Sequence, residues 1–355
     1  MIRVLIVDDS AVVRKTLTEK LSTYAGIEVV GAAVDPYVAR DKIVRLRPDV
    51  ITLDLEMPRM DGLSFHEKLM EYYPLPVIIV SSLTGRNSQL ALKALELGAL
   101  EVVTKPELPE DLPEIGAQLA RAIRSAAATR IRSTKRLKIP APPPPPAQSL
   151  RLPDNKTVIA IGASAGGTKA IEVVLSGLPK EVPGIVIVQH MPEMFTSAFA
   201  ERLNRVCSLT VREARDRDIV SPGVALIAPG GNHMVLQRSG SKKNPYLIRI
   251  KDGPAVHHQR PSVDVLFQSV ARAAGSDSVG VLLTGMGVDG ASGLLEMRGR
   301  GAVTLAQDEE TSLVFGMPGE AIKLGAVDHV IPLQRVALRI LRALLPEKAE
   351  RKIGA

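Results

Sequence analysis

Apolar and polar positions along the chain alternate in a pattern that predicts its secondary structure. In residues 1–105, β-prone runs are separated by stretches of helical spacing such as AVVRKTLTEKLSTY. The β-prone runs are VLIVDD, VVGAAV, VITLDL, VIIVSS and EVVTKP. Strands that alternate with helices form βαβ units, which place the strands parallel in one sheet with helices on its faces. We expect a flavodoxin-like α/β domain in this part of the chain.

A second alternation of the same kind begins at Val158. Its candidate strands are VIAIG, GIVIVQH, VALIAPG, VGVLLTG and AVTLAQ, and LQRSGSKKNPYLIRIKD has the pattern of a hairpin with a polar turn. We therefore expect an α/β protein with two doubly wound parallel-sheet domains, of which the second is a Rossmann-like three-layer domain.

The segment between the two patterns has a different composition. It runs from PELPEDLPE through the basic, helix-prone ARAIRSAAATRIRSTKRLK to five consecutive prolines, Pro142 to Pro146. Consecutive prolines favour an extended spacer and cannot continue a helix. We predict a first domain at residues 1–122, a basic, Pro-rich linker at 123–154, a second domain at 155–346 and a flexible tail at 347–355.

Composition and charge argue against several classes of function. The formal net charge is +7, but residues 106–156 hold nine Lys/Arg and five Asp/Glu, a net charge of +4. Most of the excess charge thus lies in or beside the predicted linker, and aromatic residues make up only 3%, so no nucleic-acid partner is expected. A single cysteine, Cys207, forms no internal disulfide, and no apolar run is long enough for membrane insertion. We expect a cytoplasmic protein.

Charged and hydroxyl side chains end four strands of the first domain. The carboxyl ends of parallel strands share one edge of a sheet, so these side chains should lie together. Carboxylates there would bind a divalent cation such as Mg²⁺, and a lysine and a hydroxyl would suit a phosphoryl group. Each aspartate alone could instead cap a helix. The set comprises Asp8 and Asp9 after the first strand, Asp54 after the third, Ser81 and Ser82 at the fourth and Lys105 after the fifth.

The motifs DDS at 8–10, LDLEMPRMDG at 53–62 and TKP at 104–106 closely resemble the receiver domain of two-component response regulators. This resemblance implies that Asp54 accepts a phosphoryl group from a histidine kinase and that Asp8, Asp9 and Asp54 hold Mg²⁺. It also implies that Lys105 contacts the phosphoryl group and that Ser81 reorients toward it. Val102 stands where many receivers carry an aromatic switch residue, so an aromatic flip is not expected.

In the second domain, Ser164 lies in GASAG at 162–166, which matches G-x-S-x-G. Small neighbours permit a tight turn between a strand and a helix that exposes the serine oxygen, and the helix N-terminus favours developing negative charge. The motif alone is weak evidence for catalysis. A serine before a helix is often an N-cap, and Gly-rich turns also bind phosphates.

A nucleophilic serine needs a base and an orienting carboxylate. His190 ends the next apolar strand, GIVIVQH, so it is the best candidate for the base, and Asp289 follows a strand in VGVLLTGMGVDGASG. As alternatives, His190 is a satisfied histidine at the sheet edge and Asp289 caps the helix that follows it. Asp264 in RPSVDVLF is a rival carboxylate that we interpret more simply as a helix cap. The other histidines are weaker candidates: His66 in the first domain, His233 in a loop, His257 and His258 in a polar turn, and His329 near the C-terminus.

GASAGG, VQHMPEMFTSAFAERLN, APGGNHM, RPSVDVLF and LLTGMGVDGA together resemble the catalytic domain of the chemotaxis protein-glutamate methylesterases. The resemblance implies that Ser164, His190 and Asp289 form the triad and that the backbone around Met286 contributes to the oxyanion site. Family members commonly have threonine at the position of Ala165, so this chain lacks a hydroxyl beside the nucleophile.

The same resemblance implies hydrolysis of glutamate methyl esters on the cytoplasmic helical region of chemoreceptors, with release of methanol, and deamidation of particular receptor glutamines. It implies a chemotaxis histidine kinase as phosphodonor and no metal for the esterase step. We expect the unphosphorylated first domain to cover the Ser164 cleft and Asp54 phosphorylation to release it. Two alternatives are a nucleotide-binding output domain and a non-catalytic adaptor. The former is disfavoured because GASAGG matches neither a dinucleotide fingerprint nor a P-loop, the latter because the triad is intact.

Overall fold

Buried apolar runs form the centres of two α/β units in this computed structural model. It describes residues 1–57, 61–82, 85–105, 115–128 and 156–345, and the division between the units lies between residues 138 and 139. The five prolines at 142–146, Pro106, most of the predicted linker and the predicted tail lie outside the described residues. The predicted domain boundaries therefore stay a prediction.

The first unit alternates strands and helices through its whole described length. Side-chain caps fix several helix starts, as where Asp61 accepts a hydrogen bond from the Ser64 amide. The elements are β1 Ile2–Val7, α1 Ala11–Leu21, β2 Ile27–Ala33, α2 Pro36–Leu46, β3 Val50–Leu53, α3 Gly62–Tyr72, β4 Val77–Ser81, α4 Gly85–Glu96, β5 Glu101–Thr104 and α5 Ile115–Ala127.

The five strands form one parallel sheet in the order β2-β1-β3-β4-β5. This order confirms the flavodoxin-like prediction and places the topological switch point between β1 and β3. Val7 pairs with Leu53 at the carboxyl ends of these strands. Asp8 and Asp54 each come one residue later, so both aspartates lie at the switch point.

The second unit contains the predicted alternation and two short strands, β8 and β14, that the sequence did not indicate. Both are edge strands of three or four residues, too short for a periodic pattern. The elements are β6 Val158–Ala163, α6 Gly167–Ser176, β7 Gly184–Gln189, α7 Phe195–Val206, β8 Thr210–Glu213, β9 Val224–Ile227, β10 His233–Arg238, β11 Tyr246–Lys251, α8 Val263–Ala273, β12 Ser278–Leu282, α9 Ala291–Gly299, β13 Val303–Gln307, α10 Met317–Lys323, β14 His329–Ile331 and α11 Leu333–Ala343.

Seven of these strands form a parallel sheet in the order β14-β13-β12-β6-β7-β9-β8, and β10 and β11 form the predicted antiparallel hairpin. Buried apolar side chains of the sheet, α8, α9 and the hairpin make one core. Sequence order reverses between β6 and β12, so the switch point lies beside the carboxyl end of β6. The doubly wound fold predicted for this half is confirmed.

Candidate active site

Ser164 occupies the tight turn between β6 and α6. Gly166 has φ +77°, a left-handed conformation that glycine adopts without strain, and a Cβ on Gly167 would lie 2.1 Å from Gln189 Oε1. The Ser164 amide donates to the Thr284 carbonyl at 3.0 Å, and the Gly167 amide donates to the Ser164 carbonyl at 2.7 Å. The turn is therefore fixed on both sides of the half-buried serine.

His190 lies beside Ser164 because β6 and β7 pair in parallel. Ala163 pairs with Gln189, and the His190 amide donates to the Ala163 carbonyl at 3.0 Å. The buried side-chain amide of Gln189 then donates through Nε2 to two backbone carbonyls, that of Ser164 at 2.9 Å and that of His190 at 3.1 Å. One side chain thus holds both turns together.

Asp289 reaches the same place from the loop after β12. Its Oδ2 lies 2.7 Å from His190 Nε2, and the two side chains are only 2% and 4% exposed. An Nε2–H donated to the carboxylate leaves Nδ1 as the basic nitrogen. Nδ1 is buried and has no partner among the described residues, and neither does Ser164 Oγ. Hydrogen bonds between a nucleophile and its base often form only when substrate binds.

The N-terminus of α8 holds the Asp289 carboxylate. Oδ1 accepts from Ser262 Oγ at 2.8 Å and from the Asp264 amide at 3.0 Å, and Oδ2 accepts from the Val263 amide at 2.7 Å. Burial raises the pKa of Asp289, but the hydrogen bond and charge of His190 and these donors outweigh burial, so the pKa is lowered. Asp289 therefore remains ionised beside the imidazole.

Neither Asp289 nor Asp264 caps the helix for which the sequence suggested it. Asp289 does not cap the helix that follows it, since the N-cap of α9 is Gly290 and no side chain caps that helix there. Asp264 is not the N-cap of α8 either, because Ser262 holds that position. The Asp264 carboxylate accepts from the Gly293 amide at 2.6 Å and from His257 Nε2 at 3.1 Å, and it makes no hydrogen bond to His190 in the described structure.

His233, His66 and His329 are each bonded to groups other than Ser164 and Asp289. His233 begins β10 rather than lying in a loop, and it uses both ring nitrogens, with the Pro254 carbonyl at 2.9 Å and the Ser262 amide at 3.2 Å. His66 is buried in α3, and burial lowers its pKa to about 4. His329 lies in β14 and contacts Arg339.

The region predicted to bind an oxyanion is held by Thr284. Its Oγ1 donates to the Ala165 carbonyl at 3.0 Å, and its amide donates to Gln307 Oε1 at 2.8 Å. The Gly285 carbonyl accepts from Met317, which fixes the peptide before Met286. The amides of Ala165 and Met286 donate to no described residue, so both remain available to a ligand. Ala165 is buried, and its position supplies backbone groups only.

The first unit has a separate acidic site at its switch point. Lys105 Nζ lies 2.7 Å from Asp8 Oδ2 and 2.7 Å from Asp54 Oδ2. Ligand oxygens of Asp8, Asp9 and Asp54 lie within 4.8 Å of one another. Carboxylate oxygens at this spacing suit a hard divalent cation, so the residues fit Mg²⁺.

The pKa values of Asp54 and Lys105 are both raised, but for different reasons. Burial raises the pKa of Asp54, and Asp8 raises it further, against the lowering effect of Lys105, so the net direction is upward. Burial lowers the pKa of Lys105, but the two carboxylates outweigh it and the net direction is again upward. The lysine therefore stays charged, and the site still favours more positive charge beside Asp54.

Two further residues weighed for the receiver, Ser81 and Val102, lie on β4 and β5. Ser81 is the buried last residue of β4, and its hydroxyl has no partner among the described residues. The Lys105 amide donates to the Ser81 carbonyl at 2.8 Å, which places the hydroxyl on the strand next to the lysine. Val102, at the position where many receivers carry an aromatic switch residue, is buried in β5.

Sequence reasoning missed three residues that organise the second site: Gln189, Ser262 and Thr284. Gln189 is a polar residue that ends a fully buried apolar strand, which is a signal in itself. Ser262 precedes an apolar helical run, which is typical of an N-cap, but no sequence pattern shows that the same hydroxyl reaches Asp289. Thr284 carries no distinguishing signal.

None of the helices in the described ranges combines the length and the apolar character needed to cross a bilayer.

Comparisons with known proteins give consistent matches to both units. The family model described as CheB methylesterase matches residues 159–340, and the response regulator receiver domain model matches residues 4–116. The protein-glutamate methylesterase/protein-glutamine glutaminase 2 of Syntrophus aciditrophicus is 56% identical over 96% of this chain and 98% of its own length. The protein-glutamate methylesterase/protein-glutamine glutaminase of Pectobacterium atrosepticum is 52% identical over 99% of both chains.

A solved structure gives the same result for the second unit. The crystal structure of the Thermotoga maritima CheB methylesterase catalytic domain matches with a TM-score of 0.50 and 34% identity, covering 52% of this chain and 97% of that one.

Proposed function

The chain belongs to the CheB methylesterase family and carries a receiver domain, and from this premise we propose how its residues carry out and regulate the reaction. It is a protein-glutamate methylesterase and protein-glutamine glutaminase of chemotaxis adaptation. We propose Ser164 as the nucleophile, His190 as its base and Asp289 as the residue that positions the base. The observation that carries this proposal is the 2.7 Å contact between His190 Nε2 and an Asp289 carboxylate held by α8.

In the first half of the reaction, His190 Nδ1 accepts the proton of the Ser164 hydroxyl as Oγ attacks the ester carbonyl carbon. Asp289 stabilises the imidazolium that forms and keeps Nδ1 directed at the serine. The tetrahedral intermediate collapses with loss of methoxide, which takes the proton from Nδ1 and leaves as methanol. An acyl-serine remains.

In the second half, His190 Nδ1 accepts a proton from water as its oxygen attacks the acyl carbon. Collapse of this second intermediate returns the proton from Nδ1 to Ser164 and releases the glutamic acid side chain, which ionises to the carboxylate by losing its proton to water. Deamidation follows the same course with ammonia as the leaving group. The same three side chains therefore serve both substrates.

The amides of Ala165 and Met286 would bind the oxyanion. Both are free of other partners in the described structure, and Thr284 fixes the carbonyl of Ala165. Donors that are already oriented stabilise developing charge without reorganisation, which is the most effective form of electrostatic catalysis. Backbone amides suffice for this role, so the missing hydroxyl at Ala165 does not remove the site.

In the receiver, Asp54 would accept the phosphoryl group from a chemotaxis histidine kinase. Mg²⁺ would be held by Asp8, Asp9 and Asp54, and it would supply positive charge beside the transferring group. Lys105 would contact the phosphoryl oxygens, and the Ser81 hydroxyl would rotate toward them. Lys105 is charged and lies against Asp54, and the Ser81 hydroxyl has no partner among the described residues.

Phosphorylation would regulate the esterase through the connection between the domains. We place the receiver at residues 1–122, the linker at 123–154 and the catalytic domain at 155–346. Unphosphorylated receiver would cover the Ser164 cleft on the catalytic domain and release it when Asp54 is modified. The partners would be methylated chemoreceptors in the cytoplasm.

Methanol release from methyl-labelled receptor membranes tests this proposal, with and without a small-molecule phosphodonor. Wild type, Ser164→Ala and Asp54→Ala proteins are compared. We expect release to require Ser164 and to rise with phosphodonor only when Asp54 is present. Release by Ser164→Ala at the wild-type rate would contradict the triad, and activation of Asp54→Ala would contradict the switch.

A further inference from the structure

The hairpin β10–β11 and helix α8 form a basic groove in the catalytic unit. Residues 233–251 contain five Lys/Arg and no Asp/Glu. A depression of about 340 Å³ lies between the hairpin and α8. Four of its lining residues are basic: Arg238, Arg249, Lys251 and Arg272.

Two of these four charges lack an anionic partner. Arg249 pairs with Asp216 at 3.1 Å, and Arg272 approaches Glu296 at 4.0 Å. Lys251 makes no ion pair with any residue in the described part of the chain, and Arg238 uses only its Nε, to donate to the Ala273 carbonyl at 2.8 Å. The groove therefore presents exposed positive charge to a partner.

A short chain of contacts links one end of the basic groove to the Asp289 carboxylate. Lys251 pairs across the hairpin with His233, and His233 Nδ1 accepts from the Ser262 amide at 3.2 Å. Ser262 Oγ in turn donates to Asp289. At the other end, Arg238 reaches the last residue of α8, a helix of 11 residues and thus about 16 Å long. The charges extend away from the active site for roughly three turns of a helix.

The reaction itself generates the complementary charge. Each ester hydrolysis or glutamine deamidation converts a neutral side chain into a carboxylate, so a protein segment with several such positions becomes more acidic as it is processed. We propose, on the basis of the function above, that the basic groove binds glutamate carboxylates of the substrate protein while a neighbouring ester occupies the Ser164 site. The groove is then a docking surface for partly processed substrate.

This assignment predicts an effect on binding rather than on chemistry. Charges at the rim of an interface act mainly on association and on its dependence on salt. The enzyme should bind receptors with glutamate at neighbouring positions better than receptors with glutamine there, and high salt should remove the difference.

Co-sedimentation with receptor membranes tests the basic groove without requiring turnover. The full chain with Ser164→Ala is combined with Lys251→Glu, with Arg238→Gln/Lys251→Gln, or with the matched control Lys180→Glu. Lys180 is exposed in the loop before β7 and does not line the groove. We expect both groove variants to weaken binding to glutamate-form membranes about three- to tenfold and the control to leave it unchanged.

Methanol release by the same groove and control variants, now with Ser164 retained, gives the second readout. Groove variants should raise KM on glutamate-form membranes and leave kcat unchanged. Equal affinity of the wild-type groove for glutamate and glutamine forms, or equal effects of Lys251→Glu and Lys180→Glu, would overturn the proposal. Because binding is measured in a protein without the nucleophile, this failure is distinct from failure of the esterase assignment.

Discussion

The receiver and the catalytic unit each place an aspartate at the switch point of a parallel sheet, but they treat its charge in opposite ways. Asp54 lies beside another carboxylate and one lysine, and its pKa is raised. Asp289 is surrounded by two backbone amides, a hydroxyl and an imidazole, and its pKa is lowered. One lysine leaves the first site short of positive charge for its carboxylates, whereas the charge of Asp289 in the second site is fully compensated.

This difference corresponds to the two kinds of chemistry. As proposed, the first site would accept a cation and a phosphoryl group, and it keeps negative charge for the cation. A site that must hold one base in one orientation through many turnovers is better served by fixed donors that no ligand displaces. On the proposed function, similar sheet edges would serve as a switch in one unit and as a catalytic centre in the other.

The largest expected effect comes from replacing each aspartate by asparagine. Asp289→Asn removes the charge that stabilises the imidazolium and presents an NH₂ group to a set of donors. Methanol release should fall about 10³- to 10⁴-fold. Asp54→Asn should leave the rate without phosphodonor unchanged and abolish only the response to phosphodonor. Similar losses in the two variants would mean that the two aspartates do not differ as described.

Each unit buries a histidine side chain, but of His66 and His190 only His190 has a carboxylate partner among the described residues. The difference predicts a pH effect on the receiver. His66 bonds only a backbone carbonyl, and burial lowers its pKa from 6.5 to about 4. The neutral form is favoured in the folded state, so its contribution is fully present above pH 6.5 and is lost as pH falls toward 4. The difference corresponds to about 3 kcal/mol of unfolding free energy.

Hydrogen exchange of receiver peptides in the full chain, between pH 6.5 and 4, measures this loss. His66→Leu should flatten the dependence of receiver protection on pH, whereas His258→Leu, at an exposed turn of the other unit, should not. An unchanged slope in His66→Leu would show that another group is responsible.

A smaller effect is expected from Ser262→Ala, which removes one donor from Asp289 and leaves the two amides. We expect kcat for methanol release to fall about ten- to a hundredfold, as for other groups that orient a catalytic side chain. Ser269→Ala is the matched control, because this buried serine lies on the same helix and bonds Leu266 and Leu236 instead. A fall of the same size in both variants would indicate general damage to α8.

The smallest effect concerns stability and should have opposite signs in the two units. The raised pKa of Asp54 means that the folded receiver disfavours its charge, so this charge lowers stability as pH rises from 3.8 through the folded-state pKa, and the loss is complete above it. Asp54→Asn should therefore stabilise the receiver at neutral pH, by about 1 kcal/mol or less.

The lowered pKa of Asp289 gives stability that is present above pH 3.8 and is lost as pH falls through the folded-state pKa. Asp289→Asn should destabilise the catalytic unit by about 1–3 kcal/mol at neutral pH. Urea unfolding of the full chain, followed by hydrogen exchange of peptides from each unit, separates the two effects. The same sign in both units would contradict the proposed difference.

Much of the fold could be predicted from the sequence because buried parallel strands are continuous apolar runs. VIIVSS and GIVIVQH have this pattern, and residues that follow such strands must meet at one sheet edge. That rule alone brings Asp8 to Asp54 and Ser164 to His190. The short edge strands β8 and β14 were not predicted because three or four residues are too few to show a pattern of apolar positions.

The surroundings of the Asp289 carboxylate could not be predicted in this way. Ser262 is 27 residues from Asp289, and their hydrogen bond depends on how α8 packs beside the loop after β12. Gln189 illustrates the same limit, because its neighbours along the chain do not show that it reaches the Ser164 carbonyl. Side-chain contacts between distant segments follow from packing rather than from local pattern.

The most direct test of the account asks whether Ser164, His190 and Asp289 act as one unit. The measurement is the rate of methanol release from methyl-labelled receptor membranes by each alanine variant and by the triple variant. Residues that act together lose activity non-additively, so the triple variant should retain the residual rate of Ser164→Ala within about threefold. Losses that multiply across the three positions, or a Ser164→Ala rate above about a tenth of wild type, would contradict the account.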